Sequence, residues 1–154
     1  MDTKGLLKSL KDHDVDFVII GATAFPVHGY ARATLDIDIF IRPESENAKR
    51  TWSALNDFGF DLSEITIDDL LKKKLLIRQY IVEADFHPFV KGTSFEKIWG
   101  NKVEAEFGET KVFFASLNDL IEMKKASGRP QDLEDLKYLL KLKEKISGEK
   151  TNKD

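Results

Sequence analysis

The chain of 154 residues has the length of one ordinary domain, and its 42% apolar and 33% charged residues exclude both a membrane-embedded chain and a weakly hydrophobic disordered one. A formal charge of -3, from 27 acidic and 24 basic residues, supplies no global positive field for nonspecific nucleic-acid binding. With no cysteine the chain makes neither disulfides nor thiolate metal sites, so any metal must sit on oxygen or imidazole.

Leu6, Leu7 and Leu10 recur at helical spacing, and Phe17-Val18-Ile19-Ile20 then reads as a buried strand ending at Gly21. Ala22 to His28 suits a short helix stopped by Gly29, and Leu35 to Ile41 reads as the next strand, closed by Pro43. Glu44 to Phe58 carries Ala48, Trp52 and Leu55 on one helix face, and Ile67 to Leu71 forms a short helix. Leu75 to His87, rich in Ile, Val, Tyr and Phe, reads as one long strand or two. Lys102 to Phe107 and Lys111 to Phe114 flank Gly108-Glu109 as a β-hairpin. Ser116 caps a helix from Leu117 to Ala126, and Gly128-Arg129-Pro130 separates it from a last helix, Gln131 to Ile146.

No repeat, low-complexity block or Gly/Ser linker divides these elements. One domain over residues 1–147 is expected, with 148–154 as a frayed tail. The class is α+β or α/β, a mixed β-sheet covered by helices. The apolar runs are much shorter than a bilayer span and the amino terminus has no signal-peptide apolar region, so no membrane is expected and the location is cytoplasmic.

In Leu35-Asp36-Ile37-Asp38-Ile39 the aspartates alternate with apolar residues, so a strand would hold both carboxylates side by side on one face. Two adjacent anions repel unless a cation neutralises them, and oxygen-only ligands suit a hard ion such as Mg2+. Upstream, Gly21-Ala22-Thr23 opens a helix whose free amides can receive a phosphate. Downstream, Glu83 and Asp85 offer a further carboxylate at period two, and Arg32 and Thr34 immediately precede the pair. A glycine loop, two strand aspartates and a later carboxylate are the parts of two-metal phosphoryl chemistry.

From Gly21-Ala22-Thr23 to Asp36-Ile37-Asp38 the sequence resembles the signature of the DNA polymerase beta-like nucleotidyltransferase superfamily. Gly29-Tyr30-Ala31-Arg32-Ala33-Thr34-Leu35-Asp36-Ile37-Asp38 looks like the pattern of its small prokaryotic members, including abortive-infection toxin-like proteins. Asp119 to Lys124 and Gly128 to Leu136 are similar to the closing helices of that group. The resemblance implies a nucleotidyltransferase fold with C-terminal helices and a two-metal Mg2+ site on Asp36, Asp38 and a third acid. Asp85, followed by Phe86, matches that acid, with Glu83 as the alternative. It further implies nucleotide contacts at Gly21, Ala22, Thr23, Arg32 and Lys124, although Ala22 stands where the family has glycine or serine.

The expected reaction moves a nucleoside monophosphate from a nucleoside triphosphate to a hydroxyl of RNA, protein or a small molecule. The alternatives are a noncatalytic nucleotide-binding protein and a toxin-antitoxin interaction protein with a cognate protein partner. His28 and His87 lack an i,i+4 histidine and are left out as ligands, and Trp52 and Trp99 read as packing residues. Asp132 and Asp135 read as structural acids in a helix's first turns, and Lys72, Lys73 and Lys74 as a solvated charged face.

Overall fold

The Asp2 carboxylate accepts the Gly5 N–H at 2.9 Å and opens helix α1 (Thr3–Asp12), whose leucines 6, 7 and 10 are buried. A computed structural model describes residues 2–31, 34 and 36–152, with side chains described as far as residue 148. Arg32 and Leu35 therefore lie outside the described residues. Strand β1 (Phe17–Ile20) is buried along its whole length, as an apolar run in the middle of a sheet must be, and a 3-10 helix (Gly21–His28) follows it directly. Then come β2 (Ile37–Ile41), α2 (Ser45–Phe58), α3 (Ile67–Lys72) and β3 (Leu75–Gln79). The chain continues through β4 (Val82–His87), α4 (Phe95–Asn101), β5 (Val103–Phe107), β6 (Thr110–Phe114), α5 (Leu117–Ser127) and α6 (Pro130–Asn152).

The strands form one six-stranded mixed sheet in the order β3-β4-β2-β1-β6-β5. The pairs β1/β2, β3/β4 and β5/β6 are antiparallel, whereas β2/β4 and β1/β6 are parallel. Helix α1 packs on α2 and β6, α4 on β1, and α5 on α6 and the 3-10 helix. The fold is therefore α+β, a mixed sheet with helices packed on it. Among the described residues no helix is long and apolar enough to cross a membrane.

Two sequence expectations change in detail, and the choice left open for residues 75–87 is decided. The strand read from Leu35 starts only at Ile37, because the Asp36 carbonyl accepts the hydroxyls of Thr34 at 2.9 Å and Thr23 at 3.4 Å instead of entering the ladder. The segment 75–87 is two strands, turned at Tyr80, which takes φ 57° and donates its hydroxyl to the Gly59 carbonyl at 2.7 Å. Helix α6 runs to Asn152, past Gly148 where fraying was expected. One glycine costs a helix only about 1 kcal/mol relative to alanine, and the surrounding Lys and Glu are good helix formers.

Candidate active site

The side-chain period of two decides which residues meet. Asp38 and Phe40 leave the same face of β2; Phe40 is covered edge-on by Phe95 of α4 at 5.3 Å, while Asp38 stays partly exposed. The parallel pairing sets Asp38 opposite Asp85 and Phe40 opposite His87. The β3/β4 hairpin adds Arg78 opposite Glu83. The row Glu83, Asp85, His87 thus lies next to Asp38, with Asp36 at the mouth of the strand.

Gly21, with φ +70°, follows β1 and opens the 3-10 helix next to Ile20, which pairs with Asp38. A Cβ on Gly21 would stand 2.5 Å from Asp38 Oδ2, so only glycine lets the turn and the carboxylate come this close. His87 Nε2 lies 2.8 Å from Asp38 Oδ1 and orients that carboxylate from the other side. Asp36 is held through its carbonyl by Thr23 and Thr34, so the Thr23 hydroxyl, expected at a phosphate, serves the backbone of Asp36. Ala22 is buried and, with Gly21, lines a cleft shared with Asp36 and Asp38.

Asp85 is buried, and its charge is met by Arg78 Nη1 at 2.8 Å and Lys74 Nζ at 3.8 Å. The Arg78 contact is a charge pair, since Asp85 Oδ1 accepts no aligned hydrogen bond. The same guanidinium reaches Asp36 Oδ2 at 3.5 Å. A protonated Glu83 can donate to Asp36, and that hydrogen bond, followed by desolvation and the like charge of Asp36, raises the Glu83 carboxyl above the usual carboxylate range.

A cleft of about 490 Å³ opens over Gly21, Asp36 and Asp38, with Lys124 and Arg129 on its far wall. It continues into a cavity of about 310 Å³ at Asp38, His87, Lys74, Lys91 and the exposed Phe89. On the opposite side of Asp36 lies a more apolar cavity of about 340 Å³ lined by Thr23, Pro26, Val27 and Phe107. Carboxylates on one wall and cations on the other suit a ligand that brings a metal and phosphates together.

The chain matches, over residues 3–152, the family described as nucleotidyltransferase of unknown function (DUF6036). It belongs to that family. No curated protein matches it.

In this nucleotidyltransferase the structure brings together Gly21, Ala22, Asp36, Asp38 and Lys124 around one cleft, whereas Arg32 falls outside the described residues. Lys124 lines the cleft, and its largely buried ammonium lies 2.9 Å from Asp132 Oδ1, 3.3 Å from Asp135 Oδ2 and 5.5 Å from the Phe25 ring. Asp132 also accepts from Ser127 Oγ at 2.6 Å and Arg129 Nε at 2.8 Å. Burial by itself would push the Asp132 carboxyl up, but these donors outweigh it and hold it far below the usual range. Both acids are structural, as expected, but they act by locking α5 to α6 through Lys124.

The sequence reading missed His87 and Arg78. His87 carried a signal, being the third member of the alternating row Glu83, Asp85, His87. Arg78 became visible only with the hairpin register. Of the three consecutive lysines, Lys72 and Lys73 pair with Asp68 and Asp69 on their own helix, and Lys74 faces the site. Trp52 donates to the Ile65 carbonyl at 3.0 Å and Trp99 stacks on Phe95, both packing roles.

As a donor set for magnesium, Asp36 and Asp38 fit, because this ion is usually held by one or two carboxylates together with substrate phosphates and water. Asp85 is engaged by Arg78, and among the described residues no group of three or more Asp, Glu or His side chains is placed to hold a metal.

Proposed function

We propose that this nucleotidyltransferase is magnesium-dependent and moves a nucleoside monophosphate from a nucleoside triphosphate to an acceptor hydroxyl. The observation that carries this reading is the approach of Gly21 to Asp38, with a helix-opening turn of backbone amides against that carboxylate. Asp36 and Asp38 would hold Mg2+, which when bound neutralises the phosphate oxygens and the charge that develops on them. The amides after Gly21 receive phosphate oxygens, and Arg129 and Lys91 draw the polyphosphate into the cleft. The acceptor oxygen attacks the α-phosphorus, the bond from that phosphorus to the α,β-bridging oxygen breaks, and pyrophosphate leaves. The hydroxyl proton passes to a carboxylate on the open face of β4; Glu83, partly exposed and next to Asp36, is the acid we assign there.

A noncatalytic nucleotide-binding protein is the second reading, favoured by Ala22, which lacks the hydroxyl of serine and the room of glycine. Incubation of the protein with each α-labelled nucleoside triphosphate, magnesium, total RNA and cell lysate separates the two. Transfer of label that is lost in Asp36→Asn and Asp38→Asn supports the enzyme. Magnesium-dependent nucleotide binding without transfer supports the second reading, and binding left unchanged by both variants removes the site altogether.

A further inference from the structure

Arg78 stands between two of the three carboxylates expected to carry metal, Asp36 and Asp85. Its guanidinium spans the space between Asp85, 2.8 Å from Nη1, and Asp36, 3.5 Å from Nη2. It is also tied to the sheet by hydrogen bonds from Nη1 to the Ile77 carbonyl at 3.1 Å and the Ala84 carbonyl at 3.4 Å. A guanidinium so held is a permanent positive charge that does not exchange with solvent ions. Asp85 is buried, with a side-chain exposure of 7%, and Lys74 adds a second cation 3.8 Å away. A divalent ion bound to Asp85 would have to lie beside these two cations, which already neutralise its charge.

We propose that Arg78 is a built-in substitute for one of the two cations, so that this nucleotidyltransferase loads a single divalent ion, on Asp36 and Asp38, and uses Asp85 to anchor Arg78. Asp85 is then a positioning residue and Arg78 the group that holds Asp36 toward the cleft. The register makes this economical: β3 sets Arg78 directly opposite Glu83, and the hairpin turn at Tyr80 brings the guanidinium over the same face as Asp36 and Asp85. The inference rests on the proposed magnesium-nucleotide site and specifies how many ions it takes.

The test counts bound manganese by the loss of its free paramagnetic resonance signal, with the full chain and a saturating α,β-methylene analogue of ATP, the GTP, CTP and UTP analogues being run in parallel. Wild type is expected to retain about one manganese ion per chain and Arg78→Gln about two, because the buried Asp85 then needs a new cation. Asp85→Asn is expected to keep a count of about one at saturation, bound more weakly because Arg78 has lost its anchor, and that count decides the matter where Arg78→Gln fails to fold. Two ions in wild type, an unchanged count of one in a folded Arg78→Gln, or loss of an ion in Asp85→Asn each overturns the proposal and leaves the Asp36/Asp38 site standing. Retention of no manganese-nucleotide by wild type, or equal retention by Asp36→Asn, overturns the site itself and the proposal with it.

Discussion

Replacing Gly21 by alanine tests the feature on which the site depends, and a second glycine provides the control. Both Gly21 and Gly108 sit in the left-handed region, at φ +70° and +66°. An alanine at either pays about 1–2 kcal/mol for that backbone conformation. At Gly108 the added Cβ meets the Lys4 Cδ at 2.9 Å, the middle of a flexible exposed side chain that moves aside. At Gly21 it meets Asp38 Oδ2 at 2.5 Å, and Asp38 is held at 2.8 Å by His87, so relief of the clash breaks that contact or displaces the turn. We expect Gly108→Ala to lose about 1–2 kcal/mol and Gly21→Ala roughly 2–3 kcal/mol, the excess being a part-exposed charged hydrogen bond. In a domain of this size each kcal/mol lowers Tm by about 2–4 °C. Urea and thermal unfolding give these losses, and calorimetric titration with magnesium and nucleotide gives the binding. Gly108→Ala should bind as wild type does, and Gly21→Ala at least about tenfold more weakly. Equal affinity in the two variants would refute the claim that this approach builds the site.

His87→Ala should leave folding near wild type and weaken metal-nucleotide binding by about 10–100-fold, the usual cost of removing a group that orients a ligand, as titration calorimetry would show. Lys124→Ala should cost roughly 2–4 kcal/mol in urea unfolding, because it leaves the buried Asp132 and Asp135 without their shared cation. Lys125→Ala, which breaks only a half-exposed pair with Glu122 at 3.6 Å, should stay within about 0.5 kcal/mol. Since the Asp132 carboxyl titrates lower in the folded chain than its unfolded value of 3.8, its stabilisation is complete above that value and fades as pH falls toward the folded pKa. Unfolding free energies measured from about pH 6 down to about pH 3 should therefore fall less steeply in Asp132→Asn than in wild type.

The chemistry that could be read from sequence was the chemistry written in short spacing. Apolar runs and alternations are local, so Phe17 to Ile20, the hairpin around Gly108 and the leucine helices follow from period alone. The pair Asp36 and Asp38, and the glycine that opens the 3-10 helix, belong to the same local class. What spacing does not carry is which strands become neighbours. The order β3-β4-β2-β1-β6-β5 is a long-range outcome of burying the apolar strands together, and it alone sets Asp38 opposite Asp85.

The partners of each charge were decided at that level too. Thr23 was legible as a polar residue at a helix start, yet its hydroxyl goes to the Asp36 carbonyl, which is left outside the ladder because the strand starts only at Ile37. Lys124 has the same helical spacing whether it faces phosphate or solvent, and only the fold of α6 back onto α5 closes Asp132 and Asp135 around it. Arg78 is an ordinary basic residue in an alternating strand until the turn at Tyr80 pairs β3 with β4. The sequence alone determined the kinds of element and the acids available to the site; the tertiary structure decided which acids remain open and which are neutralised, because a side chain's charge is balanced by whatever packing places within a few ångströms of it.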